Sequence, residues 1–275
     1  MKKRIGSTKP TRTKRSRQTT LASWLAARPF EDERPPDANR SRKVVSLFDR
    51  HGLSLRPWAQ RGYDCLCFNP ETHPPLATCE GVVMRTVPMA TAEQIRAHLP
   101  PADEIEFVVA SPPCRDLCAA GARWWKRKAV RNPSFQQDAV RKLTGLYSVL
   151  EGLRAVPFVL LLPASPRIKT LFRTPDFEFS PHEYGGYLER DAPHPLFPES
   201  VPTQDRYTKK TFGFTSHRAV QPLKRPSVPV FTEVRLKSGV VKRISPILAS
   251  RRNHEARHVA PLGFATAICD AHASG

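Results

Sequence analysis

The sequence predicts an α/β fold, a mostly parallel, Rossmann-like sheet flanked by helices. Three observations carry that prediction. Apolar runs at 44–48, interrupted only by Ser46, at 107–110 and at 156–162 have the composition of strands buried on both faces. Each run ends abruptly, at Asp49-Arg50-His51-Gly52, at Ser111-Pro112-Pro113 and at Pro163. Between the second and third runs, Phe135, Ala139, Val140, Leu143, Leu146, Tyr147 and Leu150 recur at three- and four-residue spacing, the stripe of a helix packed on a core.

Taken in order, residues 1–42 form a basic arm and linker. Lys2, Lys3, Arg4, Lys9, Arg12, Lys14, Arg15 and Arg17 come with no acid among them, so the block repels itself and is expected to be disordered in isolation. The folded domain, 43–275, opens with the strand at 44–48. Asp49-Arg50-His51-Gly52 turns the chain into a helix through Leu55, Trp58 and Ala59, and Gly62-Tyr63-Asp64 ends it before a second strand at 65–68. Strand, glycine turn, helix and strand in that order is the unit a Rossmann-type nucleotide site needs. Thr91 and Gln94 spell a capping box for a helix that turns Ile95 and Leu99 inward and stops at Pro100.

The strand at 107–110 stops at Pro112-Pro113, because prolines lack a backbone donor and fix φ. Cys114 then stands at that strand's carboxyl end, the edge where open α/β sheets bind ligands. Asp116 and the small residues after it are expected to open a helix. Cys114 would lie near its amino end with Arg115 beside it, surroundings that favour a thiolate. Ser134 caps the striped helix, and 156–162 follows as a fully buried strand. Residues 176–248 read as an irregular region with a hairpin-like stretch at 231–241. Pro261 falls in the first turn of a closing helix that reaches His272.

The 275 residues are enough for one domain with a sizeable core. Lys and Arg number 44 against 25 Asp and Glu, a net charge of +19, which calls for an anionic partner, nucleic acid first. The six cysteines form no Cys-x-x-Cys pair, and His182, His194 and His217 are scattered, so no metal is expected. Free thiols and the lack of a signal segment suit a reducing cytoplasm. No apolar run is long enough to span a membrane, and nothing calls for an obligate protein partner.

Ser111-Pro112-Pro113-Cys114 after a hydrophobic strand resembles the nucleophile loop of DNA cytosine-5 methyltransferases. With Gly121-Ala122-Arg123-Trp124-Trp125-Lys126 behind it, the stretch is similar to a compact subgroup met in bacteriophages and bacteria. Phe48-Asp49-x-x-Gly52 and Gly62-Tyr63 resemble that family's S-adenosylmethionine motif. Pro181-His182-Glu183-Tyr184-Gly185-Gly186-Tyr187 and Asp205-Arg206-Tyr207-Thr208-Lys209-Lys210-Thr211 resemble the subgroup's later signature. The resemblance runs in order from about Val44 to His272. It implies a Rossmann-like methyltransferase fold, S-adenosylmethionine as cofactor and double-stranded DNA as partner. Phe48, Asp49, Gly52, Asn69 and Pro112 would border the cofactor. Cys114 would add to C6 of a flipped cytosine, and Arg167 would hydrogen-bond the base. Arg115, Arg123, Trp124, Lys209 and Lys210 would meet DNA, the Tyr207-to-Thr211 segment through phosphates.

The chain departs from the family in two places. The acid that normally ends the second strand and holds the ribose is Asn69 here, followed by Pro70-Glu71. The glutamate that normally protonates the cytosine edge is replaced in Leu161-Leu162-Pro163, which leaves Glu183, Glu151 and Asp116 as substitutes. General acid help is worth roughly a hundred- to ten-thousand-fold. Three readings therefore stand: a cytosine-5 methyltransferase, a degenerate relative that binds DNA without methylating it, and a different cysteine-dependent pyrimidine modification on the same scaffold. The region at 176–248 is too short to hold a full target-recognition domain.

Overall fold

The computed structural model describes residues 42–70, 72–73, 79–235, 238–249 and 255–273. The basic arm at 1–41, Glu71 and Ser250 to Asn253 lie outside the described residues. The strands are β1 (Lys43–Leu47), β2 (Asp64–Pro70), β3 (Val82–Val87), β4 (Ile105–Ala110), β5 (Phe158–Pro163), β6 (Phe177–Phe179), β7 (Thr211–Thr215), β8 (Thr232–Arg235) and β9 (Val241–Ile244). The helices are α1 (Arg56–Ala59), α2 (Ala92–His98), α3 (Ala122–Arg131), α4 (Phe135–Gly152), α5 (Pro166–Leu171), α6 (Pro246–Ala249) and α7 (Leu262–His272).

Seven strands form one sheet in the order β3-β2-β1-β4-β5-β7-β6. The pairs from β3 through β5 are parallel, while β7 runs antiparallel to both β5 and β6. This is the predicted Rossmann-like, mostly parallel sheet flanked by helices. The period of two along each strand sorts the core into two layers. Val45, Leu47, Leu66, Phe68, Val108, Ala110, Leu160 and Leu162 face Ile95 of α2, Leu143, Leu146 and Leu150 of α4, and Ile168 of α5. Val44, Cys65, Cys67, Phe107, Val109, Val159 and Leu161 face Trp58 of α1 and Phe264 and Ile268 of α7. Because these strands are covered on both faces, they read in the sequence as near-continuous apolar runs.

The capping box on α2 is present, with Gln94 N donating to Thr91 Oγ1 at 3.3 Å and Thr91 N to Gln94 Oε1 at 3.2 Å. Several expected boundaries move. The second strand continues through Asn69 and Pro70. The helix expected from Asp116 begins at Ala122, after a 3-10 turn at Ala119–Gly121. Ser134 stands at the cap of α4, but its hydroxyl donates to Asn132 Oδ1 (2.8 Å) instead of accepting from the helix. Pro261 caps α7 from just outside it. Among the described residues, no helix is long and apolar enough to cross a membrane.

Candidate active site

The strand order runs outward from β1 through β2 and β3 on one side and from β4 through β5, β7 and β6 on the other. The carboxyl ends of β1 and β4 therefore border the crevice where sheets of this kind bind ligands. Ser111 N donates to Leu47 O at 2.9 Å and joins the two ends. The two motifs singled out in the sequence emerge there, one from each strand.

On the β1 side, Phe48 leaves the strand at φ 66°, a strained setting for a bulky side chain. Asp49 is spent on its own turn. Its Oδ1 accepts from His51 N (3.1 Å) and Gly52 N (3.0 Å), and its Oδ2 from Ser54 N (2.9 Å) and Ser54 Oγ (2.6 Å). Gly52 sits at φ 65°, and a Cβ there would stand 3.0 Å from Met84 Sδ and 3.2 Å from Val82 Cγ1. Its glycine serves the turn and its packing on β3, where open approach to a cofactor was expected. Asn69 is fully buried in β2 and donates from Nδ2 to Asp49 O at 3.1 Å, beneath the turn.

What the turn offers a ligand are buried polar atoms without partners, namely both ring nitrogens of His51, Nε2 of His194 and Oδ1 of Asn69. Burial lowers the pKa of His51, and holds His194 down at about 3, so both rings are neutral at pH 7. Phe197 lies edge-on to His51 at 5.6 Å and stacks on His194 at 5.9 Å. These donors and acceptors suit the polar groups of a nucleoside cofactor with Phe197 displaced. His51 and His194 carried no such signal in the sequence.

On the β4 side, Pro112 and Pro113 deliver Cys114 to the rim, half-buried. The loop then folds on itself, with Leu117 N donating to Cys114 O (2.9 Å) and Gly121 N to Cys118 O (3.0 Å). Only glycine fits at 121, because a Cβ there would come within 1.8 Å of Arg115 O. Ser165, at the cap of α5, donates its hydroxyl to Leu117 O at 2.6 Å and pins the loop to the neighbouring crossover. The outcome is a pair of thiols, Cys114 Sγ and Cys118 Sγ, 3.9 Å apart.

The residue beside the helix amino end is thus Cys118, where the sequence pointed to Cys114. Cys118 is drawn down to about 6, first by the Cys114 S–H and then, against burial, by Ala120 N–H, Gly121 N–H and the Arg115 charge. The same contact and burial push Cys114 up, while the Lys209 ammonium pulls it back. Together the two sulfurs hold one negative charge near neutrality, because each S–H stabilises the other's thiolate.

Lys209 is placed differently from its expected phosphate contact. It is half-buried, donates from Nζ to Arg257 O at 2.7 Å and projects its charge onto both thiols. Tyr207, from the same signature segment, is fully buried. Lys210 does face solvent and pairs with Glu178 at 3.1 Å. Arg115, Arg123 and Trp124 are exposed. The Arg123 guanidinium lies 5.0 Å over the Trp124 ring. Arg167 donates to Gln136 Oε1 at 2.6 Å and lies 4.5 Å over the ring of Trp125. Gln136 Nε2 in turn donates to Asp116 O at 2.9 Å, so Arg167 borders the Cys114 loop through one intermediary.

None of the expected substitute acids stands free at the thiol. Leu161 and Leu162 are 7% and 1% exposed and bring no acid from β5. Glu183 Oε2 accepts from Ser180 N (2.7 Å) in a capping box, and its Oε1 from Lys224 (3.0 Å). Glu151 lines a groove with Arg154, Arg173 and Ser216 at the amino end of β5, the opposite edge of the sheet. Asp116 is in the Cys114 loop, but its carboxylate is paired with Lys128.

No family model matches the chain, and no curated protein does. Among solved structures, the chain is similar to the crystal structure of a glycopeptide N-methyltransferase, over 80% of this chain and 78% of that one, at 11% identity and a TM-score of 0.21. A score that low carries no argument about chemistry, and the fold stands on the sheet's own strand order and pairing.

Proposed function

We propose that this chain is a DNA cytosine-5 methyltransferase that uses Cys114 as its nucleophile. The observation that supports this most is Cys114, partly buried at the β1/β4 crevice with its thiol 3.9 Å from Cys118 within the field of Lys209. Cytosine C5 becomes nucleophilic once a thiolate has added at C6, and sulfur does this best near neutral pH. The base must leave the stack to be reached. The Cys114 sulfur would form the bond to C6, with its proton left on Cys118 or passed to solvent. Arg115, Arg123 and Trp124 are exposed around that rim and would meet the DNA. Arg167, on the far side of Gln136, would orient the base. The ring nitrogens of His51 and Oδ1 of Asn69 are the unpartnered groups that would hold S-adenosylmethionine, beside Phe48 and Pro112. When bound, that cofactor supplies an electrophilic methyl group to C5.

A second reading has its own support. Leu161 and Leu162 provide no acid, Asp49 is consumed by its turn, and Phe197 covers His51. These favour a degenerate relative that binds DNA without completing transfer. A duplex carrying 5-fluorocytosine separates the two, since fluorine cannot leave as a proton does. The first reading expects a stable protein–DNA adduct that requires S-adenosylmethionine and is absent in Cys114→Ala. Duplex binding with no adduct, with or without cofactor, would discard methyl transfer and leave the second reading.

A further inference from the structure

We infer that Cys114 and Cys118 are a peroxide-oxidisable dithiol, in which Cys114 is oxidised first and Cys118 closes an intraloop disulfide onto it. The inference concerns the thiols alone and stands whether or not methyl transfer occurs.

Three features support it. The first is proximity. The sulfurs are already 3.9 Å apart, in a loop closed by the Leu117-to-Cys114 and Gly121-to-Cys118 hydrogen bonds and clasped by Ser165. The second is charge. Cys118 starts the 3-10 turn, and Ala120 N–H, Gly121 N–H, Arg115 and Lys209 surround the pair with positive potential. A thiolate is the form that reacts with peroxide and with a sulfenic acid. The third is access. Cys114 is partly exposed, whereas Cys118 is 5% exposed. A small hydroperoxide therefore reaches Cys114 more readily than Cys118, 3.9 Å away. The other described thiols include no accessible member. Cys65, Cys67, Cys79 and Cys269 are all buried, and burial pushes Cys79 up to about 11 and Cys65 and Cys67 higher still.

Cys114 passes its proton to the Cys118 thiolate it already faces and attacks the terminal oxygen of a hydroperoxide; the O–O bond breaks, and the alcohol or water leaves after taking that proton back from Cys118. Cys114 is then a sulfenic acid. The Cys118 thiolate attacks that sulfur, the S–O bond breaks, and hydroxide leaves as water. Two thiols have lost two electrons to one hydroperoxide, and a dithiol reductant returns them by exchange. The disulfide removes the nucleophile from the rim, so oxidation silences whatever chemistry Cys114 performs.

The test uses the full-length, reduced protein without DNA or cofactor. It is exposed to a slight excess of hydrogen peroxide, alkylated with iodoacetamide and digested with trypsin. Cleavage after Arg115 separates the two cysteines, so the disulfide appears as two linked peptides, two hydrogens lighter than their sum. The expected result is that this pair dominates, disappears with dithiothreitol, and precedes oxidation at the other four cysteines. In Cys118→Ser, Cys114 is expected to accumulate as a sulfenic acid captured by dimedone, a product nearly absent from the native chain. A melting curve confirms that this variant is folded, and the native-chain peptide result needs no variant. If both thiols remain separately alkylatable while another cysteine oxidises, or if dimedone captures Cys114 equally with and without Cys118, the inference is overturned. Because no DNA is present, this outcome is independent of the fluorocytosine experiment.

Discussion

Lys209 carries its ammonium inward, to Arg257 O and the two thiols. A neutral side chain of similar length removes that field and leaves Cys118, Arg115 and the loop amides in place. Lys209→Met is therefore expected to move the pH at which the pair ionises upward by about one unit, the size of effect a single opposite charge exerts. Alkylation of Cys114 by iodoacetamide near pH 6 would slow by up to about tenfold. Lys210→Met is the control, since Lys210 is solvent-facing and pairs with Glu178. Equal pH–rate profiles for the native chain and Lys209→Met would show that Lys209 does not tune the thiols. At this scale the sequence was legible where chemistry is written in consecutive residues. Ser-Pro-Pro-Cys announces Cys114 because two prolines end a strand wherever they occur. The four-residue spacing of Cys114 and Cys118 allowed them to share a helix face, and the structure brings them together in a loop instead, whereas Lys209 was not legible as a partner. The loop pairing depended on a helix starting at Ala122, which follows from Gly121 packing against Arg115 O. The placement of Lys209 depended on how a distant strand brings β7's leading residues to the rim.

Among the elements, α3 stands apart. It carries Arg123, Lys126, Arg127, Lys128 and Arg131 with no acid, and none of its residues is buried. Trp124 and Val130 are 42% and 87% exposed on it. A helix that contributes nothing to the core and follows directly on the Cys114 loop is suited to lie on phosphates, with Trp124 available to stack. Replacing Arg123, Lys126, Arg127 and Arg131 together with Gln is expected to weaken duplex binding. The slope of log affinity against log salt should fall by about 0.9 for each phosphate that is no longer neutralised. The thermal midpoint should stay near the native value, because surface changes of this kind cost roughly 0.5 kcal/mol or less each. Filter binding or anisotropy across a salt series measures the slope. An unchanged slope would remove α3 from the interface. Lys128 is kept because it pairs with Asp116. Element by element, the buried strands were legible because burial on both faces erases alternation. β3 was missed for the complementary reason. Val82, Val83, Met84, Arg85, Thr86 and Val87 form an edge strand with most residues partly exposed, Val83 at 47%. Its mixed composition gives no unbroken apolar run.

For the molecule as a whole, the segment read as an irregular region at 176–248 sends several of its side chains into the core, while most of 216–244 stays exposed. Tyr184 is fully buried edge-on to Phe264 at 5.1 Å, and Val201, Tyr207 and Ile247 pack with Leu262 in a third cluster. Asp205 fastens this region to α7, its Oδ2 accepting from Gly263 N at 2.8 Å. Burial lifts its carboxyl to about 7, against the pull of Gly263 N–H and Leu262 N–H. The folded state therefore keeps a proton that the unfolded chain releases in the ordinary carboxylate range. Stability from this group is fully present below that range and is lost as pH rises toward 7. The loss is at most about 1.4 kcal/mol per pH unit and about 4 kcal/mol across the window. His51 and His194 act in the opposite sense, since burial keeps them neutral and their contribution falls away as pH drops below the usual histidine range. A single stability curve mixes the two, but Asp205→Asn isolates the carboxyl. The amide oxygen still accepts from Gly263 N and never ionises. Relative to the native chain, the urea midpoint of Asp205→Asn is expected to rise between about pH 4 and 7 and then level off. A difference that stays flat across that range would mean that Asp205 titrates alike in both states. The fastening of α7 would then owe nothing to its proton.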